Sequence, residues 1–358
     1  MKARATALVV ALVVGFAACG GPSSPAANKP ASAPLPAGVA GVLTYQRLDT
    51  SSGNIYTLSL ETKAERKITD FPSTSPATFS ARSPDGSRLA YVRVEGMGSA
   101  LWLSNPDGGD ARKIVDESTS STTIERPQWT PDGQAIIYTY HGFLIEGGAI
   151  KGEIFRAERV DPDSGSREEL APDAEGPSMA PDGTLTFIRT TRSGQQLMLL
   201  LPDGTEKVLV GSRSFLNLAA PRFSRDGKRI SFTAVGEGPK VGQDTTPSAA
   251  EASLLSLTAQ LPLLGPLAAG LGGGAGLRLG PGVAYAHGEP WDIWVAEVSG
   301  GVRRLTKLTE DEPMTAWGPD DQYVAVSGGT GVYVIDVATG QPTQLAPLGG
   351  FGGIDWTR

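Results

Sequence analysis

Ser83-Pro84-Asp85-Gly86 and Thr130-Pro131-Asp132-Gly133 are two copies of one four-residue turn, and this turn decides the fold. Three further copies follow with substitutions: Ala180-Pro181-Asp182-Gly183, Ser224-Arg225-Asp226-Gly227 and Gly318-Pro319-Asp320-Asp321. Proline presets the backbone at the second turn position, and the Asp-Gly pair tolerates tight hairpin geometry. Recurrence of one turn at intervals of about 40–50 residues predicts a repeat architecture.

Short strands with alternating apolar and polar residues accompany each turn. The strands that follow the turns cover 88–92, 135–139, 185–188, 229–233 and 323–326, and residues 42–45 match them without a preceding turn. A third strand recurs at 55–58, 101–103, 154–157, 197–200, 293–295 and 332–335. A fourth recurs at 66–69, 112–115, 168–171, 207–210, 303–306 and 343–346. Four strands repeated six times predict an all-β, six-bladed β-propeller, whose radial arrangement leaves only short sheet edges.

The two ends of the repeat region complement each other. The chain enters its first blade at the second strand, 42–45, and ends at 353–357, which matches the inner strand that leads into the other turns. We expect the C-terminal strand to complete the first blade and close the ring, with Ile354 and Trp356 paired against 42–45. The alternative is a linear array of hairpins, which does not account for a blade divided between the termini.

The repeated turn resembles that of the TolB-like, WD40-like family of periplasmic propellers, with its Trp-Ser-Pro-Asp-Gly signature, over residues 41–358. That family includes partner-binding envelope proteins, and related propellers sit beside peptidase domains; fold alone does not decide between them. Arg82, Arg225 and Asp321 depart from the signature, and we expect these departures to loosen their blades. The other residues two positions before the turn proline are large and apolar, which favours packing between blades: Trp129, Met179, Phe223, Trp317 and Trp356.

Residues 1–18 have the order of a secretory signal: Lys2 and Arg4, then a short apolar stretch, then small residues. The apolar stretch is shorter than the roughly 20 residues that span a bilayer. The run 16–19, Phe-Ala-Ala-Cys, resembles a bacterial lipoprotein lipobox, although Phe16 stands where Leu is usual. The resemblance implies cleavage before Cys19 and acylation of that thiol, palmitoylation included. The alternative is an ordinary signal peptide in which Cys19 has no such role.

Composition and charge narrow the possible partners. Residues 19–40 are rich in Pro and Ala and predict an extended tether behind the lipidated Cys19. Loss of residues 1–18 changes the net charge from −7 to −9, because it removes two bases and no acid. An acidic chain argues against nucleic acid as a partner. One Cys and two His exclude a disulfide framework, a Cys-based zinc cluster and a multi-His metal site.

Candidate binding residues lie where we expect loops opposite the Asp-Gly turns. These are Glu125 and Arg126, Glu175, and Asp311 with Glu312. Acids from several blades should converge near the mouth of the central channel, where they could receive a basic peptide end or a cation. The alternative is a polar rim that only meets solvent.

A large insertion, 237–289, separates the second and third strands of the fourth full blade. Ser248 and Glu251 form a capping box, and a helix should place three leucines on one face: Leu254, Leu257 and Leu261. Residues 252–277 carry no charge, so this segment is either a lid on its own propeller or an apolar docking element for a partner or membrane. A smaller insertion, 141–152, should lie on the same face. His141 and His287 fall in these two insertions, with surface or hydrogen-bonded roles.

The sequence lacks the common catalytic and nucleotide-binding fingerprints, including Gly-x-Ser-x-Gly, the P-loop and His-Glu-x-x-His. We predict no catalytic residue, cofactor or metal. The predicted function is a membrane-anchored, non-catalytic scaffold that binds a protein or peptide partner on the extracytoplasmic side of the cell envelope, either at the outer membrane or on the outer face of the plasma membrane. The alternative is a hydrolase that uses carboxylates in the channel, with or without a bound metal.

Overall fold

The computed structural model describes residues 35–36, 38–48, 53–119, 122–147, 149–239 and 290–358. Across these ranges the chain is all-β, with 24 strands and no helix. Accordingly, the described ranges hold no helix long and apolar enough to cross a membrane. The predicted signal peptide, Cys19, most of the tether, His287 and the leucines at 254, 257 and 261 lie outside the described residues.

The strands form six antiparallel sheets of four strands, which we number as blades 1 to 6. Blade 1 contains β24 (Ile354–Thr357), β1 (Val42–Leu48), β2 (Gly53–Ser59) and β3 (Glu65–Lys67). Blade 2 contains β4 (Ala77–Arg82), β5 (Leu89–Glu95), β6 (Gly98–Ser104) and β7 (Arg112–Asp116). Blade 3 contains β8 (Thr123–Trp129), β9 (Ile136–Glu146), β10 (Ala149–Val160) and β11 (Arg167–Pro172).

The remaining blades repeat this order. Blade 4 contains β12 (Glu175–Met179), β13 (Leu185–Thr191), β14 (Gly194–Leu200) and β15 (Glu206–Val210). Blade 5 contains β16 (Asn217–Phe223), β17 (Arg229–Val235), β18 (Trp291–Glu297) and β19 (Val302–Glu310). Blade 6 contains β20 (Met314–Trp317), β21 (Tyr323–Gly328), β22 (Gly331–Asp336) and β23 (Pro342–Ala346). The large insertion connects β17 to β18, the second and third strands of blade 5, as predicted.

The blades close into a ring through their inner strands. In order around the ring, β24, β4, β8, β12, β16 and β20 each contact the next, and β20 contacts β24 again. The C-terminal strand β24 pairs with β1, and Trp356 and Ile354 lie opposite Leu43 and Tyr45. The predicted six-bladed propeller and its closing blade, shared between the two termini, are therefore confirmed.

Large apolar residues at the end of the inner strands pack between neighbouring blades, as predicted. The indole nitrogen of Trp129 in blade 3 donates to the carbonyl of Ala81 in blade 2 at 3.1 Å. Trp317 in blade 6 makes the same kind of contact, at 2.9 Å, with the carbonyl of Arg222 in blade 5. Each of these tryptophans is therefore buried between two blades and also donates a hydrogen bond across the interface between them.

Two of the departures from the repeated turn, Arg225 and Asp321, tie blades together, so the expectation that they loosen their blades is wrong for these two. Asp321 occupies the glycine position of the blade 6 turn with φ of 59°, and its carboxylate accepts from the backbone nitrogens of Arg225 and Asp226 in blade 5, at 2.7 and 2.8 Å. The guanidinium of Arg225 donates to the carbonyl of Trp356 at 2.6 Å. The backbone nitrogen of Arg82 donates to Asp355 at 2.9 Å. The side chains of Asp321 and Arg225 thus reach another blade, whereas the guanidinium of Arg82 donates to the carbonyl of Pro106 in its own blade at 3.1 Å.

Candidate functional site

Blades 3, 4 and 5 share a distortion near the start of their inner strands, on the face opposite the Asp-Gly turns. The register shifts between Glu125 and Gln128 in β8, and the same shift occurs in β12 and β16. Each shift contains a residue with left-handed φ followed by proline: Arg126-Pro127, Gly176-Pro177 and Ala220-Pro221, with φ of 50°, 61° and 51°. Such bulges bend a strand and redirect its side chains. We call this side of the ring the bulge face and the opposite side the turn face.

Arg126 links the inner strands of two blades on the bulge face. Its guanidinium donates to Glu175 of blade 4 at 2.6 Å and lies 3.5 Å from the carboxylate of Glu125 in its own strand. Glycine at 176 suits the left-handed backbone there, with φ of 61°, and a Cβ would lie only 3.2 Å from Cδ of Pro221. The backbone nitrogen of Gly176 also donates to the buried hydroxyl of Thr139 in blade 3, at 2.8 Å. The cluster therefore holds blades 3 and 4 in a defined relation.

His141 extends this cluster from the neighbouring strand β9. Its Nδ1 lies 2.9 Å from the Glu125 carboxylate, which also accepts from the hydroxyl of Thr123 at 2.9 Å. The imidazole stacks on Phe155 at 4.2 Å between ring centroids and lies 5.0 Å from Phe143. Its Nε2 is buried without a hydrogen-bond partner, and the nearest carboxylate, that of Glu153, is 4.0 Å away. The hydrogen-bonded role expected for His141 is what the structure shows.

The charges in the cluster stabilise one another against the effect of burial. Burial raises the pKa of Glu125, but the hydrogen bond from His141 and the charge of Arg126 bring that pKa below its usual value. Burial lowers the pKa of Arg126, and the charges of Glu175, Glu125 and Glu312 outweigh it, so this pKa is raised. Burial also lowers the pKa of His141, and the Glu125 contact raises it above 6.5. The arrangement therefore favours the ionised form of all three groups.

The structure places the predicted site residues in two kinds of position. Glu125, Arg126 and Glu175 lie in inner strands, not in the loops where the sequence placed them. Asp311 and Glu312 do lie in a loop, between β19 and β20. The negative charge of Glu312 contributes to the raised pKa of Arg126. Leu254, Leu257 and Leu261 lie outside the described residues, and their assignment as binding residues stays a prediction.

The predicted small insertion at 141–152 is a lengthened hairpin. Strands β9 and β10 have 11 and 12 residues and continue past the sheet as a two-stranded projection. Four aliphatic side chains on the projection are exposed by 39% to 52%: Leu144, Ile145, Ile150 and Ile154. Apolar and polar residues alternate as far as His141, so the sequence contained the signal for a strand. The side-chain contact between His141 and Glu125, however, depends on the register of β8 against β9.

A second buried charge pair lies among the inner strands nearer the turn face. Nη1 of Arg222 in blade 5 is 3.9 Å from the carboxylate of Asp355 in blade 1, and Nη2 donates to the carbonyl of Ile354 at 3.3 Å. Burial is the main cause that lowers the pKa of Arg222. Blade 6 separates blades 5 and 1 around the ring, so this pair spans the ring interior. We infer that this charge pair stabilises the closed ring.

The carboxylates of the bulge face do not form a metal centre in the described part of the chain. There, no group of three or more His, Cys, Asp or Glu side chains has the geometry to hold a metal ion. What the cluster presents is a set of hydrogen-bonding and charged groups around one guanidinium.

Known proteins resemble this chain in sequence and in fold. No protein-family model matches the sequence. The chain is 28% identical over 190 residues to the uncharacterized peptidase YuxL of Bacillus subtilis, a match that covers 53% of this chain and 26% of YuxL. The chain thus spans about a quarter of that relative.

Two solved structures share the fold. The TolB structure from Acinetobacter baumannii superimposes with a TM-score of 0.59 at 17% identity, over 88% of this chain and 66% of that chain. A chain in a crystal structure of a nidogen/laminin complex superimposes with a TM-score of 0.56 at 12% identity, over 89% of this chain and 98% of that chain. Identities this low bear on fold alone. The protein therefore has the TolB-like β-propeller fold that its repeated turns predict.

Proposed function

We propose that the protein is a lipid-anchored, non-catalytic propeller that binds a protein or peptide partner in the cell envelope, through its bulge face. The observation that carries this proposal is the contrast between the faces. The turn face is built from near-identical turns, whereas the bulge face differs from blade to blade and carries a charged cluster beside a projecting hairpin. Variable loops on a rigid ring are where binding groups usually lie.

Protein partnering also fits the fold comparisons. The nidogen/laminin structure is a complex between proteins, and one of its chains has this propeller fold. We propose that Glu125, Arg126, Glu175, Asp311 and Glu312 contact the partner, together with the leucines of the large insertion. The partner would bind an acidic surface. Nucleic acid is disfavoured as a partner because the net charge of the chain is −7.

Anchoring is proposed through acylation of Cys19. A single acyl chain binds membranes only marginally, and two or more give stable attachment. Substitution Cys19→Ala should move a folded propeller from the membrane fraction to the soluble fraction of cells. Unchanged partitioning into detergent would contradict the lipid anchor and leave the binding proposal standing.

Partner binding is tested by crosslinking in intact cells. A photo-crosslinking amino acid at Glu312 on the bulge face should capture one dominant protein, and the same group at Asp320 on the turn face is the matched control. Charge reversal of Glu175 to Lys should reduce capture, with a salt dependence that reflects electrostatic steering. Equal capture from both faces, or none from either, would contradict the proposal.

One observation favours a hydrolase as the second candidate. Glu125 orients the imidazole of His141 through Nδ1, as a carboxylate orients a catalytic histidine, and the raised pKa favours the protonated form, which is that of a general acid. The likeness to YuxL adds a relative that carries the name peptidase. Hydrolysis of aminoacyl or ester substrates that is lost in His141→Asn but kept in the turn-face variant Asp320→Asn would favour this candidate over the scaffold.

A further inference from the structure

The two faces of the blade 3 hairpin, formed by β9 and β10, are turned toward different neighbouring blades. Residues directly opposite one another in an antiparallel pair lie on the same face. The pairs His141–Phe155, Phe143–Glu153 and Ile145–Ile150 therefore share one face, which we call the inner hairpin face. The pairs Leu144–Gly152 and Gly142–Ile154 share the other, which we call the outer hairpin face.

The inner hairpin face looks toward the charged cluster. His141 contacts Glu125 in the inner strand of blade 3, and Thr139, which has the same parity as His141, accepts from the backbone nitrogen of Gly176 in blade 4 at 2.8 Å, so this face is turned toward blade 4. The outer hairpin face turns toward blade 2, because Tyr140, which has the same parity as Gly142, packs against the cluster between blades 2 and 3. Only the inner face joins exposed apolar side chains to a nearby group of carboxylates.

Two zones follow one another along the inner hairpin face. The charged zone holds the carboxylates of Glu125 and Glu175 against the guanidinium of Arg126, with the carboxylate of Glu153 4.0 Å from Nε2 of His141. This zone stays net negative whether His141 is protonated or neutral. The apolar zone holds Ile145 and Ile150, which are 52% and 46% exposed and lie directly opposite one another, with Phe143 next to them. Ile145 is four residues beyond His141, or about 13 Å along the strand.

We propose that the inner hairpin face binds a cationic, amphipathic peptide segment. A Lys or Arg of the segment lies over the carboxylates, and an aliphatic or aromatic residue about four positions away packs on Ile145 and Ile150. This inference rests on the proposed partner-binding function and names the chemistry of the partner. Excess carboxylate favours a cation and disfavours the anionic headgroups of a lipid surface. A second copy of this acidic chain is disfavoured by the same charge argument.

The test is selection of a random twelve-residue peptide library against the Cys19→Ala chain, followed by affinity measurements. We expect recovered peptides to carry Lys or Arg with an aliphatic or aromatic residue about four positions away. Affinity should fall at least tenfold in Ile145→Ser/Ile150→Ser and about tenfold in Glu153→Gln. The matched control Leu144→Ser changes an exposed residue of the same hairpin on its outer face and should alter affinity less than twofold.

Four results would overturn the inference. Recovered peptides that lack basic residues, or that bind the hairpin variants as tightly as the parent, would show that the face has another use or none. Self-association in sedimentation that depends on Ile145 would identify a second copy as the occupant. Binding to vesicles of anionic phospholipid that depends on Ile145 would identify a membrane.

The design separates this inference from the proposed function. The two isoleucines are half exposed, so the double variant should melt like the parent, which a thermal unfolding curve checks directly. If that variant still captures the cellular partner by crosslinking from Glu312, the hairpin inference fails and the scaffold function stands. If neither parent nor variant captures a protein, the scaffold function itself fails.

Discussion

The turn face and the bulge face use carboxylates in opposite ways. On the turn face, Asp85 accepts from the hydroxyl of Ser83 at 2.6 Å and from the backbone nitrogen of Ser87 at 3.0 Å, both two positions away. Asp132 and Asp226 repeat this pattern in their own turns. On the bulge face, the carboxylate of Glu175 instead binds a guanidinium 49 positions away, in another blade. Carboxylates that accept from neighbouring residues stabilise a turn, whereas carboxylates that bind a residue of another blade belong to a surface that varies around the ring.

Asp321 shows that this division is not absolute. It lies on the turn face, and its carboxylate bonds to the backbone of the preceding blade. The neighbouring Asp320 keeps the local pattern and accepts from the backbone nitrogen of Gln322 at 3.1 Å. The acids therefore differ in how far along the chain their partners lie, and this separation predicts which contacts a substitution removes.

Opening the ring should produce the largest effect, because both faces depend on closure. Deletion of residues 351–358 removes β24, the partner of β1, and with it Trp356, which is 1% exposed. We expect loss of cooperative thermal unfolding and aggregation, measured by calorimetry and light scattering. Removal of the exposed Arg358 alone is the control and should leave the transition in place. A truncated chain that melts as late and as sharply as the parent would contradict a ring closed by β24.

Removal of the bulge-face cation should have the next largest effect. Arg126→Gln leaves Glu125 and Glu175 close together without their shared guanidinium, and the free energy of unfolding should fall by about 2–4 kcal/mol. The double variant with Glu175→Gln should recover part of that loss. Lys228→Gln, an exposed change on the turn face, should stay within about 0.5 kcal/mol. Chemical denaturation measures all three, and equal losses at 126 and 228 would remove the distinction between the faces.

Asp321 and Asp320 give a sharper test within one turn. Asn tolerates the left-handed backbone of position 321 but provides one acceptor oxygen where the carboxylate uses two. We expect Asp321→Asn to lower the free energy of unfolding by about 1–2 kcal/mol. Asp320→Asn, which affects a single local bond, should cost less than about 0.5 kcal/mol. Stabilisation by Asp321→Asn would revive the expectation that this departure loosens the blade.

The smallest effect is a difference in pH dependence. The pKa of His141 is raised above 6.5, so its contribution to stability is fully present below about pH 6.5 and is lost as pH rises through the folded-state pKa. Hydrogen bonds from Ser83 and Ser87 lower the pKa of Asp85 from 3.8 to about 2, so its contribution is lost only as pH falls through that range.

Titration by NMR measures the histidine directly, with His287→Asn used to assign the two imidazole signals. Glu125→Gln should bring the pKa of His141 down, because it removes the carboxylate that favours the imidazolium. A pKa at or below 6.5 in the parent chain would show that burial outweighs the Glu125 contact.

The fold was accessible from sequence because its determinants are local and repeated. The turn of Ser83 to Gly86 closes through atoms two to five positions apart, and alternation over a few residues determines which side of each strand is buried. Six copies of the strand pattern reinforce one another, and the unmatched strands at the two termini could only be completed by pairing with each other.

The site was accessible only in part, because its determinants are distant in the chain. The sequence singled out Glu125, Arg126 and Glu175 as candidate binding residues, but their mutual contacts, and those of His141 with Glu125 and Glu153, depend on the bulges and on how the blades pack. Arg225 and Asp321 appeared as defects of the repeat until the ring brought their partners within 3 Å. Local spacing determines turns and strands; only the closed ring decides which charges meet.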